Sequence, residues 1–122
     1  MNEEKVLIIE DNELNRKLIT SLLHLKNYQV LEAEDAETGI EMARKFVPDL
    51  ILMDIQLPGM DGLTATRVLK NDIDLKNIPI VAVTSYAISG DEDKAIAAGC
   101  VGYITKPIET REFIKSISEY IY

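Results

Sequence analysis

Apolar residues along the chain follow two alternating rhythms. Short aliphatic runs, Val6 to Ile9, Gln29 to Ala33, Leu50 to Met53, Ile80 to Thr84 and Gly102 to Thr105, predict strands. Stretches of helical period lie between them. Leu14, Leu18, Leu22 and Leu25 form one stripe, Ala36, Ile40, Ala43 and Val47 a second, and Phe113, Ile114, Ile117 and Ile121 a third. The segments after Gly62 and from Ser89 to Ala98 supply two further helices; Ser89 with Glu92 three positions on has the spacing of a capping box. The first, third and fourth runs are apolar throughout, as strands buried on both faces are. The pattern therefore predicts a doubly wound α/β domain: a five-stranded parallel sheet, order 2-1-3-4-5, with five helices on its two faces.

Composition narrows the possibilities. A chain of 122 residues without a Ser/Pro-rich hinge or an internal repeat reads as one domain, residues 1–122. Its single cysteine, Cys100, excludes an internal disulfide and a multi-cysteine metal site. No apolar stretch approaches the roughly 20 residues that span a bilayer, and the acidic first ten residues lack the features of a signal peptide, so a cytoplasmic protein is expected. A net charge of −8 repels nucleic-acid backbones and anionic membranes, so direct contact with either is not expected.

In open parallel sheets, ligands sit beyond the carboxyl ends of the strands. The first strand ends in Glu10 and Asp11, the third in Asp54, the fourth in Thr84 and the fifth in Lys106, while the second ends in Ala33 and Glu34. With the second strand at an edge, the polar ends converge on one pocket. Three carboxylates there repel one another, at up to roughly 4 kcal/mol per pair for a dielectric of about 20 and a separation of about 4 Å. A cation offsets that repulsion. All-oxygen donors suit Mg²⁺. A carboxylate facing both Mg²⁺ and a lysine is also a nucleophile toward phosphorus, because both cations neutralise charge on a transferring phosphoryl group. Thr84 offers that group a hydroxyl, and the small Ser85 beside it leaves the approach open. Asp54, a charge at the end of a buried strand, is thereby placed to be phosphorylated.

These residues resemble the receiver domains of two-component response regulators. The resemblance rests on "IIEDN" (8–12), "LILMDIQLPGMDG" (50–62), "VAVTSYA" (81–87) and "GYITKP" (102–107), and covers essentially the whole chain. It implies a flavodoxin-like fold and a phosphorelay switch. Glu10 and Asp11 are then the acidic pair, Asp54 the phosphoacceptor, Thr84 the switch hydroxyl, Tyr103 the switch aromatic and Lys106 the phosphate-contacting lysine. Asp11, Asp54 and the backbone carbonyl of Gln56 would bind Mg²⁺, with Glu10 acting through water. Lys106-Pro107 is similar to the family's cis peptide. The resemblance further implies a sensor histidine kinase or histidine phosphotransfer protein as donor, a downstream protein target, and a responsive surface on the fourth helix, fifth strand and fifth helix. The wording of "TSYA" and "DIQLPGMDG" is most like stand-alone regulators of the cell-fate type and the receiver modules of hybrid kinases.

Plainer readings stand for other residues. His24 is a helix-face residue, Cys100 small core packing, and Asp91, Glu92 and Asp93 solvate a helix start while complementing its dipole. A flavin-binding protein of this strand order needs a Ser/Thr/Gly-rich phosphate loop after the first strand, where "EDNELNRK" places carboxylates instead. An Mg²⁺-dependent hydrolase with an aspartyl-phosphate intermediate is the alternative reading, although such enzymes carry a second Asp two residues past the nucleophile, where this chain has Gln56.

Overall fold

A computed structural model describes residues 4–85 and 91–121. Five strands alternate with five helices: β1 Lys5–Ile9, α1 Glu13–Leu25, β2 Gln29–Ala33, α2 Ala36–Phe46, β3 Leu50–Asp54, α3 Gly62–Lys70, β4 Ile80–Ser85, α4 Asp91–Ala98, β5 Gly102–Lys106 and α5 Thr110–Tyr120. All pairings are parallel and the order is β2-β1-β3-β4-β5, as the sequence predicts. β3 and β5 each run one residue beyond the predicted limit, so Asp54 and Lys106 are the last residues of their strands. The Ser89–Glu92 capping box involves residue 89, outside the described residues; α4 begins at Asp91.

The two-residue period of the strands sorts the core into two layers. Val6, Ile8, Leu50, Leu52, Val81 and Val83 face α1 and α5, where Ile19, Leu22, Leu23, Phe113 and Ile117 meet them. Leu7, Ile9, Ile51, Met53, Ile80 and Ala82 face the opposite layer, with Ala36, Ile40, Ala43, Ala65, Leu69 and Ala95. Each fully buried aliphatic side chain adds about 1.5–3 kcal/mol, so both layers are strongly held.

Two predicted stripes are corrected. On α1 the buried residues are Ile19, Leu22 and Leu23, while Leu14 and Leu25 are 78% and 74% exposed and Leu18 is also exposed. Of the predicted row only Leu22 is buried; the face turned to the sheet runs through Ile19, Leu22 and Leu23. On α2, Ala36, Ile40 and Ala43 are buried as expected, but Val47 is the C-cap, left-handed at φ 45° and exposed. The chain turns away there before the apolar row can continue.

The loops also fit local chemistry. Asn12, Asp35 and Asp61 cap α1, α2 and α3, each accepting from the backbone N–H three residues on at 2.7–2.9 Å. Gly62 opens α3 against the end of β3, where a β-carbon would run into the Asp54 carbonyl oxygen and Ile55. That close approach brings α3 directly behind Asp54. Among the described residues no helix is long and apolar enough to cross a membrane.

Candidate functional site

The strand period also gathers the polar ends. Counting along β1, β3 and β5, Glu10, Asp54 and Lys106 share the parity of Ile8, Leu52 and Ile104, the residues facing the α1 and α5 layer. Register brings them level: Ile9 lies opposite Met53, so Glu10 follows on beside Asp54, and Ser85 opposite Lys106 carries β5 to the same edge. Three residues distant in sequence thus meet because each continues an apolar row by one more step. Thr84 has the other parity and enters from the neighbouring position on β4, opposite Thr105.

Glu10, Asp54 and Thr84 are buried, whereas Asp11 is exposed at the rim. One carboxylate oxygen each from Glu10, Asp11 and Asp54 lies within 4.8 Å of the others. The Lys106 ammonium stands 2.8 Å from Glu10 Oε1 and 3.3 Å from Asp54 Oδ2. The contact with Asp54 is a hydrogen bond; the shorter one to Glu10 is an ion pair without hydrogen-bond geometry, and Glu10 Oε1 has no hydrogen-bond partner among the described residues. The other oxygens are held by the main chain: Asn12 N–H donates to Glu10 Oε2 at 3.0 Å and Gln56 N–H to Asp54 Oδ1 at 2.9 Å. Asn12 therefore caps α1 with its side chain and holds Glu10 with its backbone, a double role that its place in the sequence did not announce.

Charge in this pocket is tightly balanced. Burial, with Asp54 as neighbour, pushes the Glu10 carboxyl up to about 7 despite the opposing pull of Lys106 and the Asn12 N–H. Burial alone would lower the Lys106 ammonium, but the closely placed Glu10 and Asp54 carboxylates outweigh it and raise its pKa above the ordinary lysine value. The Thr84 hydroxyl is buried with no hydrogen-bond partner among the described residues. A buried polar atom left unmatched costs about 1–3 kcal/mol. The oxygen donors, the clustered negative charge and this unmatched hydroxyl all fit a small cation and an anionic group entering together.

Tyr103, on the edge strand β5, is 46% exposed and lines a cleft of about 170 Å³ with Pro107, Glu109, Glu112 and Phe113. Lys106-Pro107 is cis, as the resemblance implied. Cys100 is buried beside Thr66, and burial pushes its thiol pKa up, in keeping with a packing role. His24 lies exposed in the last turn of α1, away from the strand ends.

Comparison with known proteins agrees with this geometry. Residues 6–118 match the model of the response regulator receiver domain family. The chain is 44% identical over 118 residues to the polar-differentiation response regulator DivK of Brucella anthropi, covering 97% of this chain and 96% of that one. The receiver domain of sensor histidine kinase PA1611 from Pseudomonas aeruginosa, with a magnesium ion coordinated in its active-site cleft, is 30% identical with a TM-score of 0.90, covering 98% of both chains. A response regulator structure from Chloroflexus aurantiacus, 24% identical, superposes with a TM-score of 0.94 over 98% of both chains and shows the same fold.

Proposed function

The chain belongs to the response regulator receiver domain family of two-component signalling, and on that premise we propose that Asp54 is its phosphoacceptor and that the strand-end pocket transfers the phosphoryl group to itself. The observation that carries this reading is one buried carboxylate, Asp54, facing a lysine at 3.3 Å and two further acids within 4.8 Å. Asp11, Asp54 and the Gln56 backbone carbonyl would hold Mg²⁺, with Glu10 acting through water. When bound, the ion neutralises charge on the transferring group.

The chain's own residues do the rest. The Gln56 N–H holds one Asp54 oxygen and leaves Asp54 Oδ2, beside Lys106, to attack phosphorus. The P–N bond to a donor phosphohistidine breaks, its electron pair returns to the imidazole, and an acyl phosphate forms on Asp54. Lys106 then pairs with a phosphoryl oxygen, shifting the charge felt at the end of β5. Thr84 donates its unmatched hydroxyl to another oxygen, and its movement opens space for the half-exposed Tyr103 ring. The surface of α4, β5 and α5 shifts between two packings, by as much as the phosphoryl contacts favour one of them.

The donor is a sensor histidine kinase or histidine phosphotransfer protein, and the reader of the α4–β5–α5 surface is a downstream protein. The exposed leucines of α1 support donor docking, because Leu14 and Leu18 begin immediately beyond the acidic pair and form an apolar strip beside the pocket mouth.

The experiment is incubation with a low-molecular-weight acyl phosphate and Mg²⁺, followed by peptide mapping of the modified residue. Labelling on Asp54, abolished by chelator and by Asp54→Asn with the fold intact, supports the reading. Stoichiometric labelling of that variant on another residue overturns it.

A further inference from the structure

Arg16 lies four residues into α1, where a cation is opposed by the positive end of the helix dipole and has no local reason to be. Its side chain is only 11% exposed, far below what a solvated surface arginine shows. The three arms of its guanidinium reach three different residues. Nη1 donates to the Glu10 backbone carbonyl at 2.9 Å, Nε stands 3.3 Å from Glu32 Oε1 on β2, and Nη2 donates weakly to Glu34 Oε1 at 3.5 Å. The two ion pairs, one from the edge strand β2 and one from the residue just past its end, hold the fork in place. The third arm points inward.

The carbonyl it grips belongs to the peptide bond joining Glu10 to Asp11, the two acids of the pair. The other side of Glu10 is also fixed, because its N–H donates to Ala33 O at 3.0 Å. With both polar groups of the Glu10 main chain anchored to β2 and α1, the plane of the Glu10–Asp11 peptide has no freedom to turn. That plane decides where the Asp11 Cα goes, and so whether the Asp11 carboxylate reaches the oxygens of Glu10 and Asp54 or swings into solvent. Asp11 is exposed, and its side chain has little packing of its own to hold it at the pocket mouth.

We infer that Arg16 is a positioning residue for the cation site: by clamping the Glu10 carbonyl it aims Asp11 into the carboxylate cluster. The inference rests on the reading of that cluster as an Mg²⁺ site. Groups that orient metal ligands typically change affinity by about 10–100-fold when removed. Lysine is no substitute, since a single ammonium cannot serve a carbonyl and two carboxylates in a fixed plane.

The test is Mg²⁺ titration by calorimetry, with urea unfolding in chelator as a separate readout, on the whole chain and three variants. Arg16→Met and Arg16→Lys are both expected to raise the Mg²⁺ dissociation constant by about 10-fold or more. The double variant Glu32→Gln, Glu34→Gln removes the two charges but keeps amide oxygens that accept from the fork, so the hold on the Glu10 carbonyl is loosened rather than lost and a smaller rise than that of Arg16→Lys is expected. Acyl phosphate labelling of Arg16→Lys should recover toward the wild-type rate as Mg²⁺ is raised to saturation. Unchanged Mg²⁺ affinity in a folded Arg16→Lys overturns the inference, as does a double variant that loses as much affinity as Arg16→Lys. Failure of the wild type itself to bind Mg²⁺ would instead remove the site reading on which the inference stands.

Discussion

Lys106, at the end of β5, holds its ammonium 2.8 Å from a buried oxygen of Glu10, nearer than to Asp54 at 3.3 Å. One cation therefore serves two buried carboxylates, and it does so from the far edge of the sheet. Removing one partner of a buried charge group leaves the other uncompensated, which costs about 3–5 kcal/mol in fully buried pairs. Lys106 is partly solvated and Glu10 can take up a proton, so Lys106→Met should lose less, about 2–3 kcal/mol, in metal-free buffer. Urea titrations with chelator and with millimolar-range Mg²⁺ check this. The gap between the two curves should be wider for the variant than for wild type; equal gaps would mean that lysine and metal do not answer the same charge.

The raised Glu10 carboxyl gives stability a definite pH dependence in the absence of metal. The shift from 4.5 to about 7 means that the folded state holds a proton which the unfolded chain has already released over that range. The stabilisation is fully present below about 4.5 and is lost as pH rises through 7, roughly 3 kcal/mol in all. Glu10→Gln should flatten that slope and exceed wild type in stability near pH 8. Urea midpoints of both proteins, measured in chelator from about pH 5 to about pH 8, decide the matter. A wild type that gains stability across the window contradicts the burial argument.

Most of the site was legible in the sequence because it is written in strand parity. Glu10, Asp54 and Lys106 each extend an apolar run by a single charged residue, and a parallel sheet has one edge at which such extensions meet. The α1 face was not legible. Leu14, Leu18, Leu22 and Leu25 and the row through Ile19 and Leu23 are both apolar at helical spacing, and periodicity carries no information on which of two adjacent apolar rows meets the sheet. Arg16 was missed for a different reason. Its partners Glu32 and Glu34 lie across the α1–β2 turn, and only the pairing of β2 with β1 brings them beside Glu10. The one local signal was a cation near a helix start, which is weak by itself.

The buried and the exposed leucines of α1 separate cleanly by substitution. Leu22→Ala and Leu23→Ala empty buried positions and should each cost about 2–5 kcal/mol. Leu14→Ser and Leu18→Ser touch an exposed strip and should leave the unfolding free energy, read from urea titration, within about 0.5 kcal/mol of wild type. If that strip receives the phosphodonor, the latter pair should slow phosphotransfer from a histidine phosphotransfer protein but not labelling by acyl phosphate. Equal slowing with both donors would place the defect in the pocket rather than at the docking surface.

Asp11 gives the sharpest measure of the acidic cluster, because it is the exposed member and contributes little to packing. Its oxygen shares a 4.8 Å cluster with two buried carboxylates, so in metal-free buffer its charge opposes folding. Solvent weakens that repulsion, and Asp11→Asn should gain under about 1 kcal/mol in chelator. The larger effect is on metal linkage. A ligand present at about 100 times its dissociation constant and bound only by the folded chain adds roughly 2.7 kcal/mol. Wild type should show a shift of that order on Mg²⁺ addition and Asp11→Asn should lose most of it, which four urea titrations would establish. A wild type indifferent to Mg²⁺, or an Asp11→Asn protein weaker than wild type in chelator, would mean that the three carboxylates do not act on one another and that the cation belongs elsewhere.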